Sequence, residues 1–231
     1  MQRAEPNALP KLELLPNVDG LVIEDEIPVD NFFSAKLQRL LVEVLYSSWA
    51  SWGMDRPFVA DADIGIFSSV NRPPIVPDVF VSLDVEAPKD FREKKNRTYF
   101  VWEFGKSPDI VVEIVSNKEG NELGSKLRDY ARLGVTYYVV FDPLQQLGAE
   151  QLQVFGLREG TYEALDKLWL AQVGLGVTLW EGRFEGVEGV WLRWCDRDGK
   201  ILPTGIERAI QAEAKAAKLA EKLRALGIEL E

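Results

Sequence analysis

PDIVVEIVS (108–116), SKLRDYARLGV (125–135) and VTYYVVF (135–141) decide how this chain folds. The first and last are short apolar runs rich in β-branched and aromatic residues, which reads as buried strand. Between them, Leu127, Tyr130, Ala131 and Leu133 recur at helical spacing, and Gly134 supplies a C-terminal stop. A strand, a helix that packs back onto it, and a second strand are therefore expected in succession.

The first strand contains an anomaly. Glu113 has Ile110, Val111 and Val112 before it and Ile114 and Val115 after it. A strand buried on both faces normally carries no acid. A buried carboxylate costs several kcal/mol unless it is paired, hydrogen-bonded or bound to a metal. PDVFVSL (77–83) repeats the pattern, with Asp78 at the head of an apolar run. Asp78 can equally start a strand and accept backbone hydrogen bonds, and Glu113 can equally pair with a basic side chain. Lys126, thirteen positions after Glu113 at the start of the helix, is the natural partner. It also stands four residues after Glu122, a pair worth only about 0.2–0.5 kcal/mol on a helix surface. Lys118, in the loop after the strand, is the second candidate lysine.

Earlier in the chain, FFSAKLQRLLVEVLYSSWA (32–50) places Phe33, Leu37, Leu40, Leu41, Val44 and Leu45 on one helical face, with Glu43 near its edge. Asp30 or Asn31 is placed to cap that helix. Strands are expected at 21–30, 62–67, 77–83, 98–104, 109–115 and 135–141. Beyond residue 150, short strands separated by glycines predict an antiparallel meander packed on the core. The stretch after Pro203, rich in Ala, Glu and Lys, predicts a projecting or self-associating helix with a thin stripe of Ile206, Ile210, Leu219, Leu223 and Leu226. The expected organisation is an arm over 1–20, an α/β core over 21–202 and a charged helix over 203–231.

Composition narrows the chemistry. The chain has 231 residues, 46% of them hydrophobic, enough for one sizeable core. It contains no histidine, which excludes Ser-His-Asp and Cys-His catalysis and His-ligated zinc. A metal would need oxygen ligands, favouring Mg²⁺, Mn²⁺ or Ca²⁺. The single cysteine, Cys195, excludes an internal disulfide and fits a reducing cytoplasm. No apolar run approaches the roughly 20 residues that span a bilayer, and the N-terminus lacks the apolar stretch of a secretory leader.

The net charge of −10 opposes indiscriminate nucleic-acid binding. It is uneven, however. Lys89, Arg92, Lys94, Lys95, Arg97 and Lys106 outnumber Asp90, Glu93 and Glu103 across one segment. That segment is either a solvated hairpin tip or a phosphate-contacting edge beside the acids.

Pro77-Asp78, PDIVVEIVS, SKLRDYARLGV and YYVVFDP together resemble the bacterial putative restriction endonuclease family, a former domain of unknown function in the PD-(D/E)XK nuclease superfamily. The resemblance spans roughly residues 20 to 200 and implies a mixed sheet flanked by helices, with the charged C-terminal helix as a common appendage. It places the family's two acids on Asp78 and Glu113. Val115 stands where the superfamily lysine belongs, so the lysine is implied to have moved to the next helix, at Lys126. Glu43 falls on the superfamily's helical acid. Asp78, Glu113 and the backbone carbonyl of Val115 would then hold Mg²⁺ or Mn²⁺, and Lys126 would orient or deprotonate the attacking water. DNA as substrate and a homodimer acting on both strands are further implications, with no organic cofactor. A catalytically silent nuclease fold that binds nucleic acid or protein is the alternative, and a structural or interaction module is another. A glycosidase, with two acids opposed across a sugar cleft, fits poorly.

Overall fold

Asn31 opens the first helix by accepting hydrogen bonds from the backbone N–H groups of Phe33 and Ser34, each at 3.0 Å. This satisfies two of the donors that a helix start leaves unpaired. The computed structural model describes residues 31–50, 53–116 and 121–226. The expected arm over 1–20, the strand over 21–30 and Lys118 lie outside them. Helix α1 (Phe32–Ser48) buries Leu37, Leu40, Leu41, Val44 and Leu45 completely or nearly so. Each such side chain is worth about 1.5–3 kcal/mol relative to exposure.

The main sheet contains β1 (Phe58–Ala62), β3 (Val79–Leu83), β5 (Ile110–Ile114), β6 (Tyr137–Phe141), β7 (Leu152–Arg158) and β8 (Thr161–Ala164), in that spatial order. β5 and β6 are parallel, and the other neighbours are antiparallel. The parallel pair needs a crossover. It is made by a π-helical turn at Glu122–Lys126 running directly into α3 (Leu127–Leu133). Gly134 then ends the helix in the left-handed conformation, with φ 86°, as its position predicts.

Alternation along β5 divides the core. Ile110, Val112 and Ile114 join α1 on one face of the sheet, while Val111 and Val115 join Tyr130 and Tyr138 on the other. Over the α1 face lies a second antiparallel sheet of β9 (Trp169–Leu170), β10 (Leu175–Phe184) and β11 (Val187–Cys195). Trp194 of β11 donates its indole N–H to the carbonyl of Leu41 at 2.8 Å. Cys195 is buried, and burial pushes its thiol up to about 11.

Three expectations are refined. The strand over 62–67 divides into β1 and β2 (Ile66–Phe67), separated at Asp63, whose φ of 54° interrupts extended backbone. The strand over 98–104 stops after β4 (Tyr99–Phe100), which pairs in parallel with β2, and the chain coils into α2 (Val101–Phe104). Phe104 thereby folds back to stack on Tyr99, ring centroids 4.2 Å apart. Extended chain would separate them by about 16 Å. Aromatic content suggested a strand there, but stacking rather than strand pairing holds those rings. Lastly, the meander is shared between two sheets: β7 and β8 extend the main one, and β9 to β11 form the layer over α1.

Helix α4 (Gly205–Ala225) starts with a capping box between Thr204 and Glu207. Arg193 of β11, almost wholly buried, makes two hydrogen bonds to the Glu207 carboxylate, at 3.2 and 2.7 Å. Ser48 donates to the carbonyl of Pro203 at 2.5 Å. These contacts tie the start of the helix to the core. Beyond it, Ile206, Ile210, Leu219 and Leu226 are exposed, so the helix projects.

Candidate active site

β3 and β5 pair with Val79 opposite Val112. One further step in the same register sets Asp78 across from Glu113. Pro77 and Asp78 lie just before the ladder begins, and the Asp78 carboxylate accepts the backbone N–H of Ile114 at 2.5 Å. The two acids therefore come together because an antiparallel strand pair ends there.

Glu113 belongs to the face packed by α3, and its side chain is almost completely buried. One carboxylate oxygen accepts from Lys126 Nζ at 2.7 Å and the other from the Tyr130 hydroxyl at 2.6 Å. Lys126 and Tyr130 are four residues apart and share a helical face. Burial raises the Glu113 pKa, and the charge and hydrogen bond of Lys126, with the Tyr130 bond, pull against it. For Lys126, burial favours the neutral amine, but Glu113, Glu122 and Asp78 outweigh it and hold the ammonium. Tyr130 is pushed well above the ordinary phenol range by burial and by Glu113, so it remains a donor.

Glu122 completes the surroundings. Only 4% of it is exposed, and Oε1 lies 3.7 Å from Lys126 Nζ. Its backbone carbonyl accepts the Tyr138 hydroxyl at 3.0 Å. Asp78, Glu113 and Glu122 thus set three carboxylates around one ammonium. This suits a hard divalent cation, which oxygen ligands hold and which often uses only one or two carboxylates with water and substrate oxygens. Among the described residues, no three His, Cys, Asp or Glu side chains converge on a point that could hold a metal. Asp78 and Glu113, with a backbone carbonyl, are the oxygen donors that could hold one.

The other candidates lie elsewhere. Glu43 sits on α1, across the sheet from Glu113, and accepts the backbone N–H of Gly205 at 2.8 Å. It helps anchor α4 and is not part of the acid cluster. It also lines a cleft of about 790 Å³ with Arg183, Phe184 and Ile210, a space that includes none of Asp78, Glu113 and Lys126. The basic segment is a loop with a 3₁₀ turn at Lys94–Asn96, not a hairpin. Lys106 binds Asp109 at 2.5 Å and the carbonyl of Leu83 at 3.0 Å. Leu83 ends β3 and Asp109 precedes β5, so Lys106 stands at the opposite end of this strand pair from Asp78. Five residues of strand amount to about 16 Å. Lys95 lines a shallow cleft with Asp84 and Glu86 beyond that same end. Arg92 pairs with Asp90 at 2.9 Å, Lys95 with Glu93 at 3.2 Å and Lys89 with Glu86 at 3.7 Å. Arg97 donates to the carbonyls of Phe91 and Arg92. Local pairing consumes much of this positive charge.

Tyr130 and Glu122 join this cluster without a clear mark in the sequence. Tyr130 reads as a core residue of its helix, although its four-residue spacing from Lys126 marks a shared face. Glu122 read as an ordinary i, i+4 surface partner, because the π turn that buries it leaves no sequence signature.

The sequence supports the class that the site suggests. The chain belongs to the Uma2 family of putative restriction endonucleases, whose profile matches residues 1–176, and with it to the restriction-endonuclease-like group of the PD-(D/E)XK superfamily. No curated protein matches the chain. No helix among the described residues is long and apolar enough to cross a membrane.

Proposed function

We propose that this protein is a metal-dependent endonuclease that hydrolyses phosphodiester bonds of DNA in the cytoplasm. The observation that carries this reading is Glu113, buried in the central strand, hydrogen-bonded to Lys126 and Tyr130, and beside Asp78 at the end of the neighbouring strand. Membership of a nuclease family supplies the reaction class.

Asp78, Glu113 and the backbone carbonyl of Val115 would hold Mg²⁺ or Mn²⁺. The cation would neutralise phosphate charge and make a bound water more acidic. Lys126 offers an ammonium whose side chain is one-third exposed, so it can face a phosphate from within the site. It would orient the attacking water and steady the charge that develops on phosphorus oxygens. In the overall reaction, water oxygen bonds to phosphorus, the bond to the leaving oxygen breaks, and that oxygen gains a proton. Lys118 is the second lysine available for this role. A homodimer would present two such sites to a duplex, which light scattering after gel filtration would read.

The test is cleavage of plasmid and oligonucleotide DNA with Mg²⁺ or Mn²⁺ by wild type, Asp78→Asn and Glu113→Gln. Metal-dependent cutting lost in both variants, with folding intact, supports the reading. Cutting that survives both variants overturns the assignment. A second reading, a catalytically silent nuclease fold that binds nucleic acid or protein, is favoured by one observation. Both oxygens of Glu113 already have protein partners, and Asp78 already serves a backbone N–H. DNA bound but never cut would select it.

A further inference from the structure

Glu122 has a carboxylate oxygen left over. Its Oε2 is buried and has no hydrogen-bond partner among the described residues. Leaving a buried acceptor unsatisfied is costly, and more so for a charged group. Such an atom is more naturally a place kept for something than a packing element. Its neighbour identifies what comes. Lys126 Nζ stands 3.7 Å from Glu122 Oε1 while bonded to Glu113 at 2.7 Å. A lysine is a compact charge on a flexible stem with three donors, so a movement of about 1 Å transfers it from one carboxylate to the other.

The backbone fixes this alternative. Asn121, left-handed at φ 56°, leads into the π turn, and its carbonyl accepts the Lys126 N–H at 3.3 Å. Glu122 and Lys126 are thereby held on one turn, of a kind that recurs at functional sites.

Resting on the metal-dependent reading above, we propose that Glu122 is a positioning residue that receives the Lys126 ammonium when Glu113 turns to a divalent cation. A cation on Glu113 repels the ammonium that sits there. Without a second carboxylate, the ammonium swings out to solvent or resists the cation. With Glu122, it stays inside the site, facing the place of the phosphate. Glu122 acts through Lys126 and is not a ligand, in keeping with the absence of three converging acids among the described residues.

The test is a double-mutant cycle read by calorimetric Mn²⁺ binding to the full chain without nucleic acid. Glu122→Gln should weaken Mn²⁺ binding about tenfold, the scale of coupling between touching groups. It should leave the metal-free melting temperature unchanged or raised, because it replaces a buried carboxylate whose Oε2 has no hydrogen-bond partner among the described residues and whose ion pair with Lys126 is long, at 3.7 Å. Glu122→Asp, which keeps the charge, should bind within about threefold of wild type. In a Lys126→Met background, adding Glu122→Gln should change affinity less than about twofold. If Glu122→Gln does not fold, judged by near-UV dichroism, Glu122→Asn runs the same cycle. Equal weakening with and without Lys126 would make Glu122 a ligand or a mere source of field, and overturns the proposal. No weakening in either background overturns it too. Wild type that binds no Mn²⁺ removes the metal reading itself, a result distinct from both.

Discussion

Lys126 Nζ meets Glu113 Oε2 at 2.7 Å across thirteen residues of chain, joining the crossover helix to the central strand it follows. The pair is asymmetric: the Glu113 side chain is 2% exposed and that of Lys126 32%. The acid is thus locked into the sheet, while the amine approaches it from the solvent side.

Lys126→Met should therefore do more than remove a surface charge. It leaves Glu113 buried with Tyr130 as its remaining side-chain donor among the described residues. Breaking a buried pair from one side costs about 3–5 kcal/mol, and the partial exposure of Lys126 places this case near the low end. Urea unfolding at neutral pH should show a loss of about 3 kcal/mol. A loss under about 0.5 kcal/mol, the level of an exposed pair, would mean that Glu113 does not depend on this lysine.

Tyr130→Phe deletes only the hydroxyl that donates to Glu113 at 2.6 Å. A hydrogen bond to a charged group is worth about 1.5–3 kcal/mol, so destabilisation in that range is expected. Removing the donor also pushes the Glu113 pKa further up, because hydrogen bonding favours the ionised form. Unfolding at two pH values checks this: the penalty should be smaller in acid, where Glu113 is protonated.

Glu185 gives a pH signature far from the acid cluster. It sits at the β10–β11 turn and bonds Arg39 and Lys36 of α1. Those bonds lower its pKa from 4.5 to about 2. A depressed carboxylate pKa adds stability that is present above 4.5 and lost as pH falls toward 2. Because both partners are partly solvated, the contribution is at most about 1 kcal/mol and shrinks with salt. Glu185→Gln should therefore match wild type near pH 2 and fall below it at pH 6, as read by thermal melts.

Glu207→Gln separates the second layer from the site. It removes the carboxylate from buried Arg193 and weakens the start of α4. A cost of about 1–3 kcal/mol is expected, less than for a fully buried pair because Glu207 is partly exposed. Mn²⁺ affinity should not change, since Arg193 and Glu207 belong to the α1 side of the sheet.

The central part of this architecture is legible in the sequence because its signals are strong and local. The apolar runs of β3, β5 and β6 have lengths that only strands fit, and Gly134 marks the end of α3. Glu113 and Lys126 could be paired because a short crossover must return a helix to its strand. What stayed hidden depends on long-range geometry. Nothing in FVWEF distinguishes a strand from the turn that stacks Phe104 on Tyr99. The resemblance puts its helical acid on Glu43, but no local signal says which face of the sheet that helix covers. The basic segment from Lys89 to Lys106 reads in sequence as either a solvated tip or an edge beside the acids. Strand direction places Lys106 at the far end instead.

The most direct test is Mn²⁺ and Mg²⁺ titration followed by thermal shift, comparing wild type with Glu113→Gln. A ligand that binds only the folded state raises stability by about 2.7 kcal/mol at a hundredfold excess over its Kd. The account predicts a saturable rise in melting temperature for wild type that Glu113→Gln abolishes. A rise of equal size in both proteins, or in neither, would contradict a cation held by Glu113.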